Sequence, residues 1–262
     1  MTTMPDTRFT VERKSWDSDF FGREIYSLSV SRPIDGQDLL GGLARADRSG
    51  IWAIECHLDF RDLRNAPTLE SSGFRLVDSK ATFITTMRRD ELRGPICPFG
   101  AVREATADDL SAIDDLTIAN LVDNPDFVSR YNDRRLFTRE ESMRYYGAWN
   151  ENVINTDPRL CHVWEVDGDM VAYFGFLRDH ESTEIPRFKG ILTAVSPGFR
   201  GHGAQNFLQD AIFPRFGCDI WEVVSTTQLS NNRVIHNHIS AGKKFSDVAV
   251  TFYRLHPTQH FT

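Results

Sequence analysis

Gly190-Ile191-Leu192-Thr193-Ala194-Val195-Ser196-Pro197-Gly198-Phe199-Arg200-Gly201-His202-Gly203-Ala204-Gln205-Asn206-Phe207-Leu208 is the stretch on which the fold turns. Ile191 to Val195 is a short β-branched and apolar run, and Pro197-Gly198 interrupts it. Apolar residues then recur at Ala204, Phe207, Leu208, Ala211 and Ile212, the spacing of a helix. The pattern reads as strand, glycine turn, helix. Gly201 and Gly203 let the backbone approach a ligand closely, and the free amides and positive dipole end of the following helix favour a phosphate there.

Two common phosphate loops do not fit. A P-loop carries a lysine directly after its last glycine, and no lysine follows these glycines. A dinucleotide fingerprint opens its domain and is followed about 20 residues later by an acid, whereas this loop lies late in the chain. Val195-x-Pro197-x-x-Arg200-Gly201-x-Gly203-Ala204 resembles instead the pyrophosphate loop of the GNAT superfamily of N-acetyltransferases, whose pattern is Arg/Gln-x-x-Gly-x-Gly/Ala. Arg200 and Gly203 fit, and the last small residue of the pattern falls on Gln205. The resemblance implies acetyl-CoA as cofactor, with Arg200, Gly201, His202, Gly203, Ala204 and Gln205 around its pyrophosphate. It also implies that the backbone of Thr193, Ala194 and Val195 holds the pantetheine arm, and that the Val195 amide polarises the thioester carbonyl.

Working outward, the hairpin Leu160–Val166, Asp167-Gly168-Asp169, Met170–Leu177 precedes the loop, Asp-Gly between apolar runs being a strong hairpin signal. A polar loop over 179–187 connects the two. After the loop come a strand at Ile220–Ser225, a helix from about Ser230 to Ala241 closed by Gly242, and a last strand at Val248–Tyr253. Upstream, Thr106 caps a helix whose face carries Leu110, Ile113 and Leu116, and a further helix runs from Thr138 to about Ile154. This order over about 102–255 is that of the acetyltransferase fold.

The first 93 residues give strands around Ile25–Val30, Ile51–Cys56, Phe74–Val77 and Ala81–Met87, helices over 36–48 and 65–71, and, between Phe9–Arg13 and Ile25, an aromatic cluster around a glycine turn over Trp16–Gly22. That succession resembles half of an acetyltransferase without its loop, and carries no catalytic residue of its own. The expected organisation is a packing domain (1–93), a turn-rich linker (94–100) and an acetyltransferase domain (101–262). The implied fold class is α/β (α+β): a central mixed, largely antiparallel sheet flanked by helices, plus a smaller N-terminal α/β domain resembling a degenerate half of the same fold.

Composition bounds the function. The net charge of −7 over 262 residues speaks against a broad basic face for nucleic acid. No apolar run is long enough to span a bilayer and the N-terminus has no signal-like apolar core, so the expectation is a cytoplasmic protein with no membrane partner. Cys56, Cys97, Cys161 and Cys218 form no Cys-x-x-Cys pair and read as reduced core residues, with no metal site. A homodimer is compatible with the sequence.

Aminolysis of a thioester requires a neutral amine and a proton for the departing thiolate. The family supplies the latter from a tyrosine four residues before the glycine that ends its last helix, and His238 stands there. His238 is either that acid or a half-buried, hydrogen-bonded core residue. The resemblance implies that Asn231 or Asn232 contacts the cofactor arm, the alternative being that it only caps its helix. Glu184 and His236 are candidates for deprotonating the amine, and water is the alternative. For the acceptor, Trp16–Gly22, Arg130-Tyr131-x-Asp133 and Tyr145-Tyr146-x-x-Trp149 resemble dTDP-fucosamine-type nucleotide-sugar N-acetyltransferases. Arg130 would meet a phosphate, while Tyr131, Tyr145 and Trp149 would offer faces to a sugar or base. The alternatives are acetylation of another small amine, an antibiotic or amino acid, and a non-catalytic acyl-CoA-binding module.

Overall fold

A computed structural model describes residues 9–30, 33–92, 97–180 and 184–257. The N-terminal residues 1–8, linker residues 94–96 and polar-loop residues 181–183 lie outside the described residues. The chain divides into two compact units: unit 1 comprises Met1–Lys80, Ser129–Leu136 and Asp247–Thr262, and unit 2 comprises Ala81–Val128 and Phe137–Ser246.

Unit 1 holds β1 (Phe9–Arg13), α1 (Ser15–Phe21), β2 (Ile25–Val30), α2 (Gly36–Arg48), β3 (Ala53–Asp59) and α3 (Ala66–Ser71). The first part of β4 (Arg75–Arg88) and most of β10 (Lys244–Leu255) also belong to it. β1 pairs antiparallel with β2, β2 parallel with β3, and β3 antiparallel with β10. The parallel step requires a crossover, which α2 provides. Leu39, Leu43 and Ala46 form the buried face of α2 and join Leu28, Ile54, Cys56, Leu58, Leu69 and Phe252 in the core of the unit. At the start of α2 the Asp35 carboxylate accepts from the amides of Gln37 and Asp38. Two sequence expectations change here. The aromatic turn around Trp16 is a short helix, α1, and the two strands expected over 74–87 are one continuous strand, β4.

Unit 2 contains the rest of β4, β5 (Ala101–Glu104), α4 (Leu110–Thr117), α5 (Arg139–Thr156), β6 (Cys161–Val166), β7 (Asp169–Asp179), β8 (Arg187–Val195), α6 (Ala204–Ile212), β9 (Ile220–Gln228) and α7 (Asn232–Ser240). Its strands run in the order β4-β9-β8-β7-β6-β5. β5 to β8 form antiparallel neighbours and β8 with β9 a parallel pair, again crossed by a helix, α6. Asp167 and Gly168, both with positive φ, make the tight β6–β7 turn that the Asp-Gly pair predicts. One face of the strands packs on α6 through Trp164, Phe176, Phe188, Phe207, Leu208, Phe213 and Trp221. Each large side chain so buried contributes about 2–3 kcal/mol of transfer free energy. On the other face Ile113 of α4 and Val153 of α5 pack with Val163, Tyr173 and Ala194. The fold class is the mixed α/β arrangement that the sequence implies. No helix among the described residues is long and apolar enough to cross a membrane.

Candidate functional site

The expected strand, turn and helix are present as β8, the segment 196–203 and α6, and the geometry of β8 decides what they can bind. Gly175 pairs with Leu192 but Phe176 with Gly190, so Ile191 is an extra residue and β8 carries a bulge there. On its other side β8 pairs with β9 only from Arg187 to Gly190, opposite Glu222 to Ser225. Both strands continue, to Val195 and Gln228, without pairing to each other. A gap therefore opens at the bulge.

Strand alternation fixes which groups line that gap. The Ser196 N–H donates to Val171 O at 2.8 Å, toward β7. Amides alternate direction along a strand, so those of Ala194 and Leu192 also face β7, and those of Thr193 and Val195 face the gap. The Thr193 hydroxyl is tied back to Tyr173 O at 3.0 Å, and Arg200 Nε donates to Val195 O at 3.3 Å. Arg200 is held in turn by Asn120 Oδ1 at 2.7 Å. Its guanidinium thus braces the end of β8.

The turn delivers the helix without a side-chain cap. Gly201 and Gly203 adopt φ of 89° and 78°, the left-handed region, and among the described residues no side chain bonds the first amides of α6. A Cβ built on either glycine meets nothing within 4 Å, so backbone conformation rather than crowding calls for glycine there. His202 packs edge-on to Phe99, with ring centroids 5.2 Å apart. Uncapped amides at a helix start, reached through two left-handed glycines, fit an anion such as a pyrophosphate, and the unpaired edge of Thr193 to Val195 fits an amide-bearing chain. The residues present suit coenzyme A.

No family model matches the chain, and no curated protein matches it. Solved structures do. A GCN5-related N-acetyltransferase from Sphaerobacter thermophilus aligns with 88% of this chain and 73% of its own, with a TM-score of 0.55 and 15% identity. One from Kribbella flavida gives 87% and 81%, a TM-score of 0.50 and 14% identity. A tandem GNAT protein from the clavulanic acid biosynthesis pathway gives 88% and 75%, a TM-score of 0.51 and 12% identity. The chain has the GNAT fold. At these identities the likeness establishes architecture, and chemistry has to be argued from the residues.

Within that fold the expected site residues fall as follows. Thr193, Ala194, Val195, Arg200, Gly201, His202, Gly203, Ala204 and Gln205 are brought together along the gap, turn and helix start of unit 2. Asn231 is the N-cap of α7, its side chain accepting from Val234 N at 3.4 Å. His238 is 2% exposed on α7, and the Gln205 side-chain amide lies 3.2 Å from its Nδ1. Burial, and then Lys243, lower its pKa to about 3, so the imidazole is neutral near pH 7 and the imidazolium that a general acid would use is not populated. Glu184 and His236 are solvent-exposed.

The acceptor candidates divide between the units. In unit 2, Tyr145 is buried and packs on Trp149, ring centroids 6.1 Å apart, and the indole Nε1 of Trp149 is buried without a hydrogen-bond acceptor among the described residues. In unit 1, Arg130 and Tyr131 surround a carboxylate that periodicity presents only as part of a buried apolar strand. Glu55 of β3 is 0% exposed. Arg130 Nη1 lies 2.9 Å from it, Lys14 Nζ 2.6 Å and Tyr253 OH 3.1 Å, and His57 also contacts it. Burial opposes ionisation of Glu55, yet Arg130 foremost, with His57 and Lys14, holds its carboxyl well below the usual carboxylate range. Arg130 Nη2 further donates to Tyr131 OH at 2.8 Å. The Arg130 charge is therefore engaged inside unit 1.

Sequence reasoning missed Glu55, Asn120, the bulge at Ile191 and a buried lysine, Lys243. Only the last left a signal, since two lysines, Lys243 and Lys244, follow the helix-closing Gly242 directly.

Proposed function

We propose that this protein is an acetyl-CoA-dependent N-acetyltransferase acting on a small amine. The observation that carries the reading is the conjunction, in unit 2, of an unpaired β8 edge with an uncapped helix start. Acetyl-CoA would supply the activated acyl group as a thioester. Gly201 to Gln205 would hold its pyrophosphate by backbone amides, and the edge of Thr193 to Val195 would bind its pantetheine arm. Val195 N–H, facing the gap, is the oxyanion donor of this reading, and Arg200 keeps it in place through Val195 O. His238 enters as a neutral imidazole that positions Gln205, and water takes the proton of the amine.

The acceptor we place first is a nucleotide-linked amino-dideoxysugar of the dTDP type. The aromatic pair Tyr145 and Trp149 supports it, since aromatic faces suit a sugar or base. Arg130, paired with Glu55, does not add to that support. Purified protein incubated with acetyl-CoA and dTDP-amino sugars, aminoglycosides or amino acids should release free CoA with at least one class. Release only with the latter two would replace the sugar reading by that of another small amine. Binding of CoA without release in any mixture would leave a binding module.

A further inference from the structure

Lys243 follows α7 and lies among the residues of unit 2 that face α6. It is 6% exposed, and its Nζ reaches Ser225 Oγ at 2.8 Å and Gln209 Oε1 at 3.2 Å. An ammonium has three donors, and these are two neutral acceptors. Among the described residues no carboxylate pairs with it. The groups that face it are Gln209 from α6, Ser225 from β9 and His238 from α7, of which only His238 titrates. A buried cation without a counter-charge is costly, and burial lowers the pKa of Lys243 to about 8.

Its place relative to the gap gives this charge a purpose. Ser225 pairs with Gly190, the last rung before β8 and β9 part. A chain anchored by its phosphates at the start of α6 and laid along Val195 to Thr193 runs toward that closed end, where Ser225 bonds Lys243. We infer that Lys243 is the cationic partner of the coenzyme A sulfur, favouring it as the thiolate. The inference rests on the acyl-CoA reading above. It accounts for how a leaving thiolate is stabilised where the neighbouring His238 is neutral, and it uses charge stabilisation at a desolvated site rather than an acid of ordinary pKa.

The test measures binding, not turnover. The pKa of the CoA thiol bound to the full chain is read from thiolate ultraviolet absorbance, in wild type, Lys243→Met and Lys243→Arg, beside the affinities of CoA and S-methyl-CoA. In wild type the bound thiol should titrate about one unit or more below free CoA, equivalent to a tenfold preference for thiolate. CoA should then bind more tightly than S-methyl-CoA at pH 8. Lys243→Met should abolish both differences while still binding S-methyl-CoA as wild type does, and Lys243→Arg should retain part of them. An unshifted thiol and equal affinities in wild type would overturn the inference while leaving the cofactor assignment standing. Failure of wild type to bind either ligand would remove the acyl-CoA reading and this inference with it. Should Lys243→Met fail to fold, wild type alone still decides, through its thiol pKa.

Discussion

Both units contain a strand, a crossover helix and a parallel strand, β2-α2-β3 in unit 1 and β8-α6-β9 in unit 2. They treat the helix start in opposite ways. In α2 the Asp35 carboxylate already accepts from the Gln37 and Asp38 amides, and Asp38 adds a second negative charge. In α6 the N-cap is Gly203 in the left-handed region, with no side chain on the amides. The first arrangement neutralises the helix end internally and repels a phosphate; the second leaves it for one. Topology alone does not make the site. The residues at the turn do.

Buried charge follows the same division. Unit 1 encloses Glu55 but surrounds it with Lys14, Arg130, His57 and Tyr253, so it stays ionised. Unit 2 encloses His162, His238 and Lys243, and burial pushes each toward its neutral form, His162 to about 4. Neither ring nitrogen of His162 has a hydrogen-bond partner among the described residues. Groups matched this way hold a fold together, whereas unmatched ones respond to pH or to a ligand.

The contrast can be broken most severely at Glu55. Replacing Glu55 by Ala leaves buried cations uncompensated, and denaturant unfolding should show a loss of about 3–5 kcal/mol. A loss below about 1 kcal/mol, the scale of an exposed pair, would mean that the cluster contributes no more than surface charge. Next comes pH. His162 titrates near 6.5 when unfolded and near 4 when folded, so the unfolded chain binds the proton first and stability falls as pH drops through that interval. Over the whole interval the loss is roughly 3 kcal/mol. His162→Phe should flatten the pH dependence of unfolding between 6.5 and 4, and an unchanged slope would contradict the assignment.

Gly203→Asp makes α6 resemble α2. A carboxylate at the N-cap competes for the same amides, and calorimetric titration should show CoA affinity falling on the order of 100-fold, the worth of one or two charge-assisted hydrogen bonds. Undiminished affinity would place the pyrophosphate elsewhere. The smallest effect is expected at Arg200, which is exposed and acts through Val195 O and Asn120. Arg200→Ala should weaken CoA binding by about fivefold, near 1 kcal/mol.

Local signals in the sequence were sufficient for the elements of unit 2. Pro197, the paired glycines and the Ala204, Phe207, Leu208, Ile212 spacing locate the end of β8 and the start of α6, and Asp167-Gly168 locates the hairpin. Features that depend on distant pairings were not legible. Val248 to Tyr253 reads as a strand, but only the register places it beside β3. The bulge at Ile191 is a mismatch between β7 and β8 and has no local mark. Glu55 sits in an apolar run, and nothing nearby announces that Arg130, far along the chain, will neutralise it. His238 falls by spacing on the tyrosine position of the acetyltransferases that the sequence resembles, whereas its neutrality follows from burial, which spacing does not reveal.

The central claim is that the two crossover helices differ in what their first turns can bind. Backbone amide resonances of the isotopically labelled protein, followed while CoA is added, test it most directly. Saturable shifts are expected at Gly201, Gly203, Ala204 and Gln205, with Gln37 and Asp38 unmoved. Shifts at Gln37 and Asp38, with the 201–205 amides silent, would contradict it.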